Sequence, residues 1–430
     1  MKKALLLTYY WPPGSGPGVQ RWLKFCKYLV ELGWEIEVIT VENGSYPSTD
    51  SSLLDDVPED LRVFRTKTIE PFAVYNALRG KSGKQVEVGM SNLKGKPSLF
   101  KRISNYVRAN FFVPDARVGW NTYAFPMAIK RIKAFQPDLI ITTGPPHSTH
   151  LMGARLKRMF SLPWVADFRD PWTTIYYNAY LNRTTRTQEK DKSLEDQVLK
   201  TADGIVVAST GMQEEFEART QRITFIPNGF DPKDFEQTVT EIPEKMRLAY
   251  VGNLKSNQNI YGFWLALSSL SPEQRSSVEL EITGNMAADV KESIASYALE
   301  DLIKVKAFVP HREAIERMLN AHVLLLPIPQ SENNKSILTG KLFEYLATRR
   351  PILAIGPTGG NAADILRDVE KADMIDYKDV QAITQRFDQL LNTFSEKQGQ
   401  HWTSGNDAYL KYSRKETAKT LSEFMQELVP

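Results

Sequence analysis

The sequence predicts an α/β protein of two doubly wound, Rossmann-like domains, each a parallel sheet with helices on both faces. Short apolar runs alternate with amphipathic helical patterns along most of the chain. The alternation breaks at Pro227-Asn228-Gly229-Phe230-Asp231-Pro232, passes through an acidic, apolar-poor stretch, and then restarts. A length of 430 residues also exceeds what one core of ordinary size organises.

In the first half the apolar runs place strands at 4–8, 35–40, 62–64, 138–142, 164–167, 204–208 and 224–226. Helical spacing falls at 19–32, 123–135, 148–160, 189–200 and 211–219. The second half repeats the scheme with strands at 248–251, 279–283, 304–308, 323–326, 352–354 and 374–376. The expected organisation is a first domain over 1–230, a linker over 231–245, a second domain over 246–413 and a final helix within 414–430. The sequence leaves open which domain that helix packs on.

A net charge of +3 gives no argument for a nucleic-acid partner. The single cysteine, Cys26, excludes an intrachain disulfide and a cysteine-based zinc site, and its apolar neighbours mark it as core. Lys2-Lys3 followed by an apolar run imitates a signal peptide, but the run stops at Thr8 and no cleavage-site pattern follows. No stretch approaches the ~18 apolar residues needed to span a bilayer. A cytoplasmic protein is expected.

One segment departs from the alternation. Between Arg79 and Asn110, Arg79, Lys81, Lys84, Lys94, Lys96, Lys101, Arg102 and Arg108 face the single acid Glu87. Leu99, Phe100, Ile103, Tyr106 and Val107 recur there at helical spacing. Such a segment either lies in a membrane interface, its lysines on anionic headgroups, or packs as an insertion on the first domain.

Two stretches carry the chemistry. Strand 4–8 runs into Gly14-Ser15-Gly16-Pro17-Gly18-Val19 at a helix start, where glycines let backbone N–H groups approach a phosphate or sugar. A dinucleotide fingerprint is excluded, because Val19 stands where the last glycine belongs and Pro12 and Pro13 interrupt the turn. The second stretch, Thr339-Gly340-Lys341-Leu342-Phe343-Glu344-Tyr345-Leu346, reads as a helix opening on a glycine turn. Its spacing puts Lys341 and Glu344 on one face, away from the apolar positions. A lysine at a helix N-terminus attracts phosphate, and a carboxylate one turn later can accept ribose hydroxyls.

Several motifs recur in order across both halves: the glycine loop, 138–150, Ala166-Asp167-Phe168-Arg169-Asp170-Pro171-Trp172, Ala202-Asp203-Gly204, Ile226-Pro227-Asn228-Gly229, Tyr250-Val251-Gly252-Asn253-Leu254 and the Lys341–Glu344 helix. In this order they resemble the retaining GT-B-type glycosyltransferases, of the family-four class that includes polysaccharide-assembly enzymes. The resemblance spans nearly the whole chain. It implies an active site in a cleft between the domains, the second domain holding a nucleotide-sugar and the first presenting the acceptor.

The resemblance also assigns residues. Glu344 matches the family's ribose-binding glutamate, but the partner glutamate eight positions earlier falls on Ser336, which leaves Glu332 or a backbone group for the sugar hydroxyls. The Arg and Lys that neutralise the diphosphate fall on Asn253 and Gln258, so Lys255 and Lys341 are the substitutes, beside Gly252. The donor-contacting histidine falls near Thr143, with His147 and His150 just beyond as candidates for catalysis. Gly16, Gly18 and Arg169 are the first domain's expected donor contacts, and Asp170 would orient or deprotonate an acceptor hydroxyl. The implied activity moves a sugar from a UDP- or GDP-sugar to a saccharide or lipid-linked saccharide hydroxyl, with no metal and no other cofactor. Two rivals stay open: a nucleotide-sugar 2-epimerase of the same fold, and a non-catalytic nucleotide-sugar-binding partner.

Overall fold

The computed structural model describes residues 2–46, 48–69, 106–175, 178, 181–236, 239–332 and 334–429. Most of the basic stretch that begins at Arg79 lies outside them; its described end, 106–111, is helical.

Contacts divide the chain into two units, Met1–Pro227 with Thr417–Pro430, and Asn228–Glu416. The acidic stretch after Pro232 belongs to the second unit, and the final helix, α13 (Arg414–Gln426), joins the first from Thr417 onward. Ala418, Leu421 and Met425 on one helical face are fully buried in the first unit's core, which settles where that helix packs.

The first unit holds β1 (Lys2–Leu7), β2 (Trp34–Val41), β3 (Arg62–Thr66), β4 (Leu139–Gly144), β5 (Trp164–Phe168), β6 (Gly204–Val207) and β7 (Ile223–Phe225). All pair in parallel, in the order β3-β2-β1-β4-β5-β6-β7. Its helices are α1 (Pro17–Glu31), α2 (Asn121–Phe135), α3 (Ser148–Phe160), α4 (Thr185–Thr201) and α5 (Thr210–Phe216). Central strands are mostly apolar because both faces are covered: Ala4 to Leu7 of β1 are fully buried, while β4 and β5 also bury Thr142, Thr143 and Asp167.

The second unit holds β8 (Met246–Val251), β9 (Val278–Thr283), β10 (Ile303–Lys306), β11 (Val323–Pro327), β12 (Ile352–Ile355) and β13 (Met374–Ile375), parallel in the order β10-β9-β8-β11-β12-β13. Around them lie α6 (Tyr261–Ser268), α7 (Pro272–Ser276), α8 (Ala288–Ser296), α9 (His311–Leu319), α10 (Gly340–Thr348), α11 (Asn361–Asp368) and α12 (Val380–Glu396). In each sheet the strand order reverses once, between β1 and β4 and between β8 and β11. Ligands of doubly wound sheets bind beyond the carboxyl ends of the strands at such reversals. Both chemistry-bearing stretches of the sequence sit there.

Candidate functional site

In the first unit the loop after β1 turns into α1 through Gly16, whose φ of +108° is a left-handed conformation that glycine adopts without strain. No protein atom lies within 4 Å of where a Cβ on Gly16 would stand, so the loop is open on that side. Gly18 is different: a Cβ there would lie 1.4 Å from Nη1 of Arg169. Arg169 fills that space and donates from Nε to the Gly144 carbonyl at 3.2 Å and from Nη2 to the Pro145 carbonyl. It thus braces the loop after β4 against the glycine loop. Asp170, next to it, is exposed; surrounding protein still raises its carboxyl from the ordinary range, against the pull of Arg169.

His147 and His150 open α3. His147 stacks on Trp172, centroids 4.9 Å apart at 6°; its ring nitrogens make no well-formed hydrogen bond among the described residues, though the Pro171 backbone lies close enough to raise its pKa slightly. Burial, seconded by the Arg169 charge, depresses its pKa to about 3, so the ring is neutral near pH 7. His150 is fully buried, stacks on Phe168, and meets Thr142 Oγ1 through Nδ1 at 2.8 Å. Trp164 Nε1 donates to that same hydroxyl at 2.8 Å. The hydroxyl keeps its own proton and a second lone pair, so His150 Nδ1 can accept from it or donate to it. His150 Nε2 has no hydrogen-bond partner among the described residues. Both His147 Nδ1 and His150 Nε2 face Gly144, where a Cβ would stand 2.8 and 2.6 Å from them.

The N-terminus of α3 is itself closed. Asp115 accepts from Ser148 N at 2.8 Å and from its hydroxyl at 2.9 Å, and Thr149 N and His150 N donate to the Pro146 and His147 carbonyls, so these donors are spent within the protein. Thr143, the position the family histidine would take, donates to Asp167 and is buried. Cys26 is buried in the core, and burial pushes its thiol pKa up.

In the second unit β8 is followed by Gly252, with φ +122°, and a Cβ there would lie 2.5 Å from Lys341 Cε. Glycine is required both by the backbone and by the lysine stem crossing it. That lysine is the second residue of α10. Its Nζ stands 5.0 Å from the Tyr250 ring centroid and has neither a hydrogen bond nor an ion pair among the described residues. Desolvation lowers its pKa from 10.5 to about 8; Glu344 opposes the shift and Lys255 adds to it. Thr339, the N-cap of α10, makes no capping bond, and its buried hydroxyl is unpartnered. An uncapped helix N-terminus and, one residue inside it, an ammonium with no ion pair among the described residues can together bind an anion.

One turn along α10, Glu344 accepts from His311 Nε2 through Oε1 at 2.9 Å. Its Oε2 has no partner among the described residues. Lys255 and Asn253 are exposed; Asn253 accepts the Tyr250 hydroxyl through its carbonyl at 2.9 Å and Asn285 N through its side chain at 3.1 Å. Gln258, at a position where the family carries a cation, is buried and donates to the Pro327 carbonyl at 3.0 Å. Ser336 ends a short turn over Asn334–Ser336, and Glu332 is exposed.

The structure therefore gathers Gly252, Lys341 and Glu344, with Lys255 within electrostatic reach, and gathers His147, His150, Gly18 and Arg169 in the other unit. Sequence reasoning missed Thr339 and His311. A threonine just before Gly-Lys at a helix start was a visible signal for the first. Among the described residues no three His, Cys, Asp or Glu side chains converge as a metal site, and no helix is long and apolar enough to cross a membrane.

Two parallel-sheet, doubly wound α/β units in one chain fit the GT-B fold of glycosyltransferases. Residues 18–234 match the sequence profile described as Glycosyltransferase Family 4, and residues 245–393 match Glycosyl transferases group 1. The chain belongs to Glycosyltransferase Family 4. No curated protein sequence matches it. Among solved structures, it is similar to HepE from Anabaena, solved with UDP, at 13% identity and TM-score 0.65, with 100% of both chains covered. Sucrose-phosphate synthase from Thermosynechococcus elongatus is 14% identical at TM-score 0.62, over 100% of this chain and 99% of that one. WaaG, a glycosyltransferase of lipopolysaccharide biosynthesis, is 12% identical at TM-score 0.54, over 97% of this chain and 99% of that one.

Proposed function

We propose that the protein transfers a glycosyl unit, with retention and without a metal, from a UDP- or GDP-sugar to a hydroxyl of a saccharide or lipid-linked saccharide in cell-surface polysaccharide synthesis. The observation that carries this reading is the unpaired ammonium of Lys341 at the uncapped N-terminus of α10. A diphosphate supplies the charge that lysine lacks, and Lys255 adds a second cation for the leaving group. Glu344 Oε2 accepts the ribose hydroxyls. In the first unit the neutral His147 and the fully buried His150 back the loop after β4 at Gly144, and that loop meets the sugar. Asp170 orients the acceptor hydroxyl, and the departing diphosphate helps remove its proton. UDP bound in the HepE structure is consistent with a nucleotide donor.

The test is turnover of UDP- and GDP-sugars with membrane-extracted acceptor, with and without chelator. Release of the nucleoside diphosphate, unaffected by chelator, with a product of unchanged anomeric configuration is expected. An epimer formed from donor alone would replace this reading with an isomerase. Nucleotide binding without turnover on any acceptor would make the protein a binding partner.

A membrane-held acceptor also fits the basic stretch from Arg79 to Asn110, whose eight cations face one acid. At its described end Tyr106, Val107 and Phe111 are exposed, Phe111 by 74%. Each lysine or arginine near an anionic surface contributes on the order of 1 kcal/mol. Co-sedimentation with anionic vesicles is expected at low salt and should fall as salt rises. Absence of binding at low salt would remove the membrane from the proposal.

A further inference from the structure

We infer that His311 is a positioning residue for the donor: it holds the Glu344 carboxylate so that the free oxygen points to a ribose. This rests on the reading of Glu344 as the ribose contact.

A glutamate on the surface of a helix samples several rotamers, and freezing it costs conformational entropy at the moment of binding. Here that cost is met in advance. His311 is the first residue of α9, which begins just after the carboxyl end of β10; Glu344 stands in the second turn of α10. The two helices pack together through their apolar faces, with Ile315 of α9 and Leu346 of α10 fully buried in one core. That packing sets the pair at 2.9 Å with both side chains about three-quarters covered.

An ionised glutamate only accepts, so the shared proton sits on His311 Nε2. The arrangement spends Oε1 on the protein and leaves Oε2 for the ligand. A lysine at position 311 would serve less well, since a flexible ammonium can draw onto either oxygen. An imidazole is rigid, donates along one direction and leaves the carboxylate its charge.

The same geometry separates two roles in α10. Lys341 meets the phosphates through charge, whereas the Glu344–His311 pair meets the sugar ring of the nucleoside. Loss of His311 should therefore weaken recognition of ribose and spare recognition of phosphate.

The experiment compares calorimetric binding of a nucleoside diphosphate, UDP or GDP according to which binds, with binding of its 2′,3′-dideoxy form. Wild type, Glu344→Gln, His311→Ala and His311→Gln are measured, each with a thermal melt as a fold check. The wild type should prefer the ribonucleotide. His311→Ala should lose roughly tenfold affinity for it and little for the dideoxy form. Glutamine carries an N–H at nearly the position of imidazole Nε2, so His311→Gln should recover most of the loss. A purely structural role for His311 would weaken both ligands equally, and that result would overturn the inference. If Glu344→Gln abolishes the ribose preference while His311→Ala retains it, the inference falls and the Glu344 reading stands. If Glu344→Gln keeps the preference, both fall together.

Discussion

Lys341→Met is expected to lower nucleoside diphosphate affinity about 100-fold and, at neutral pH, to raise the melting temperature of the ligand-free protein. Both effects have one cause. The ammonium is half-buried over Tyr250 with no anion to pair it, and the chain bears that cost until a phosphate arrives. A charge-assisted hydrogen bond to phosphate contributes about 1.5–3 kcal/mol, and its loss with the attendant Coulomb attraction gives the factor of 100. Methionine keeps the stem that covers Gly252, so the site keeps its shape.

The pH dependence has a defined sign. The folded-state pKa of about 8 lies below the ordinary 10.5, so the native state binds that proton less tightly than the unfolded chain. The stabilisation gained by methionine is therefore full below pH 8, shrinks as pH rises through that window, and is gone above 10.5. The lysine keeps some solvent contact, so the gain should be ~1–2 kcal/mol rather than the whole linkage energy. Binding runs the other way: bound phosphate raises the lysine pKa, so wild-type affinity should fall as pH climbs past about 8, where the free enzyme loses the proton. Calorimetric titrations between about pH 7.5 and 9.5, where the diphosphate stays ionised, measure that slope. A slope retained in Lys341→Met would take the lysine out of the phosphate site.

Lys341 and Glu344 were legible in the sequence because a helix fixes what shares its face. The strands were legible because the central ones are covered on both faces, so that runs such as 4–7 and 248–251 are apolar. What could not be read is whatever depends on contacts across the fold. His311 reaches Glu344 from another helix, 33 positions away, and no local period marks it. Thr142, which meets His150 Nδ1, is one more threonine in a strand until the fold brings that ring and Trp164 to it. Gln258 stands at a position where the family carries a cation, yet burial turns it toward a backbone carbonyl. Asp167 was legible only as part of a motif, and its neighbours Arg169 and Asp170 drew the functional reading. The structure gives Asp167 an architectural role instead.

Asp167→Ala should destabilise the first unit more than any other single change argued here, by about 3–5 kcal/mol. Arg21 of α1 and Asp167 of β5 form an ion pair in which both side chains are fully buried, Nη2 to Oδ1 at 2.9 Å. Oδ2 accepts from Trp22 Nε1 at 2.7 Å and from Thr143 Oγ1 at 2.8 Å. One carboxylate thus satisfies a cation, an indole and a hydroxyl from α1 and β4, and ties the helix after the glycine loop to the two strands whose ends carry His147 and Arg169. Alanine takes the Asp167 charge away from a guanidinium at zero exposure, which keeps the Pro227 carbonyl at 3.1 Å, and strips two further buried donors. Removing the charge as well, in Arg21→Met with Asp167→Ala, should recover part of the loss, because a buried guanidinium that has lost the Asp167 carboxylate is the largest cost. Urea unfolding followed by tryptophan fluorescence reads the right unit: of the eight tryptophans, Trp11, Trp22, Trp34, Trp120, Trp164 and Trp172 lie in the first. A loss under 1 kcal/mol for Asp167→Ala, or a double variant no more stable than the single one, would show that water or a rearranged donor replaces the carboxylate. Arg169 would then owe its place against Gly18 to the β4 loop alone.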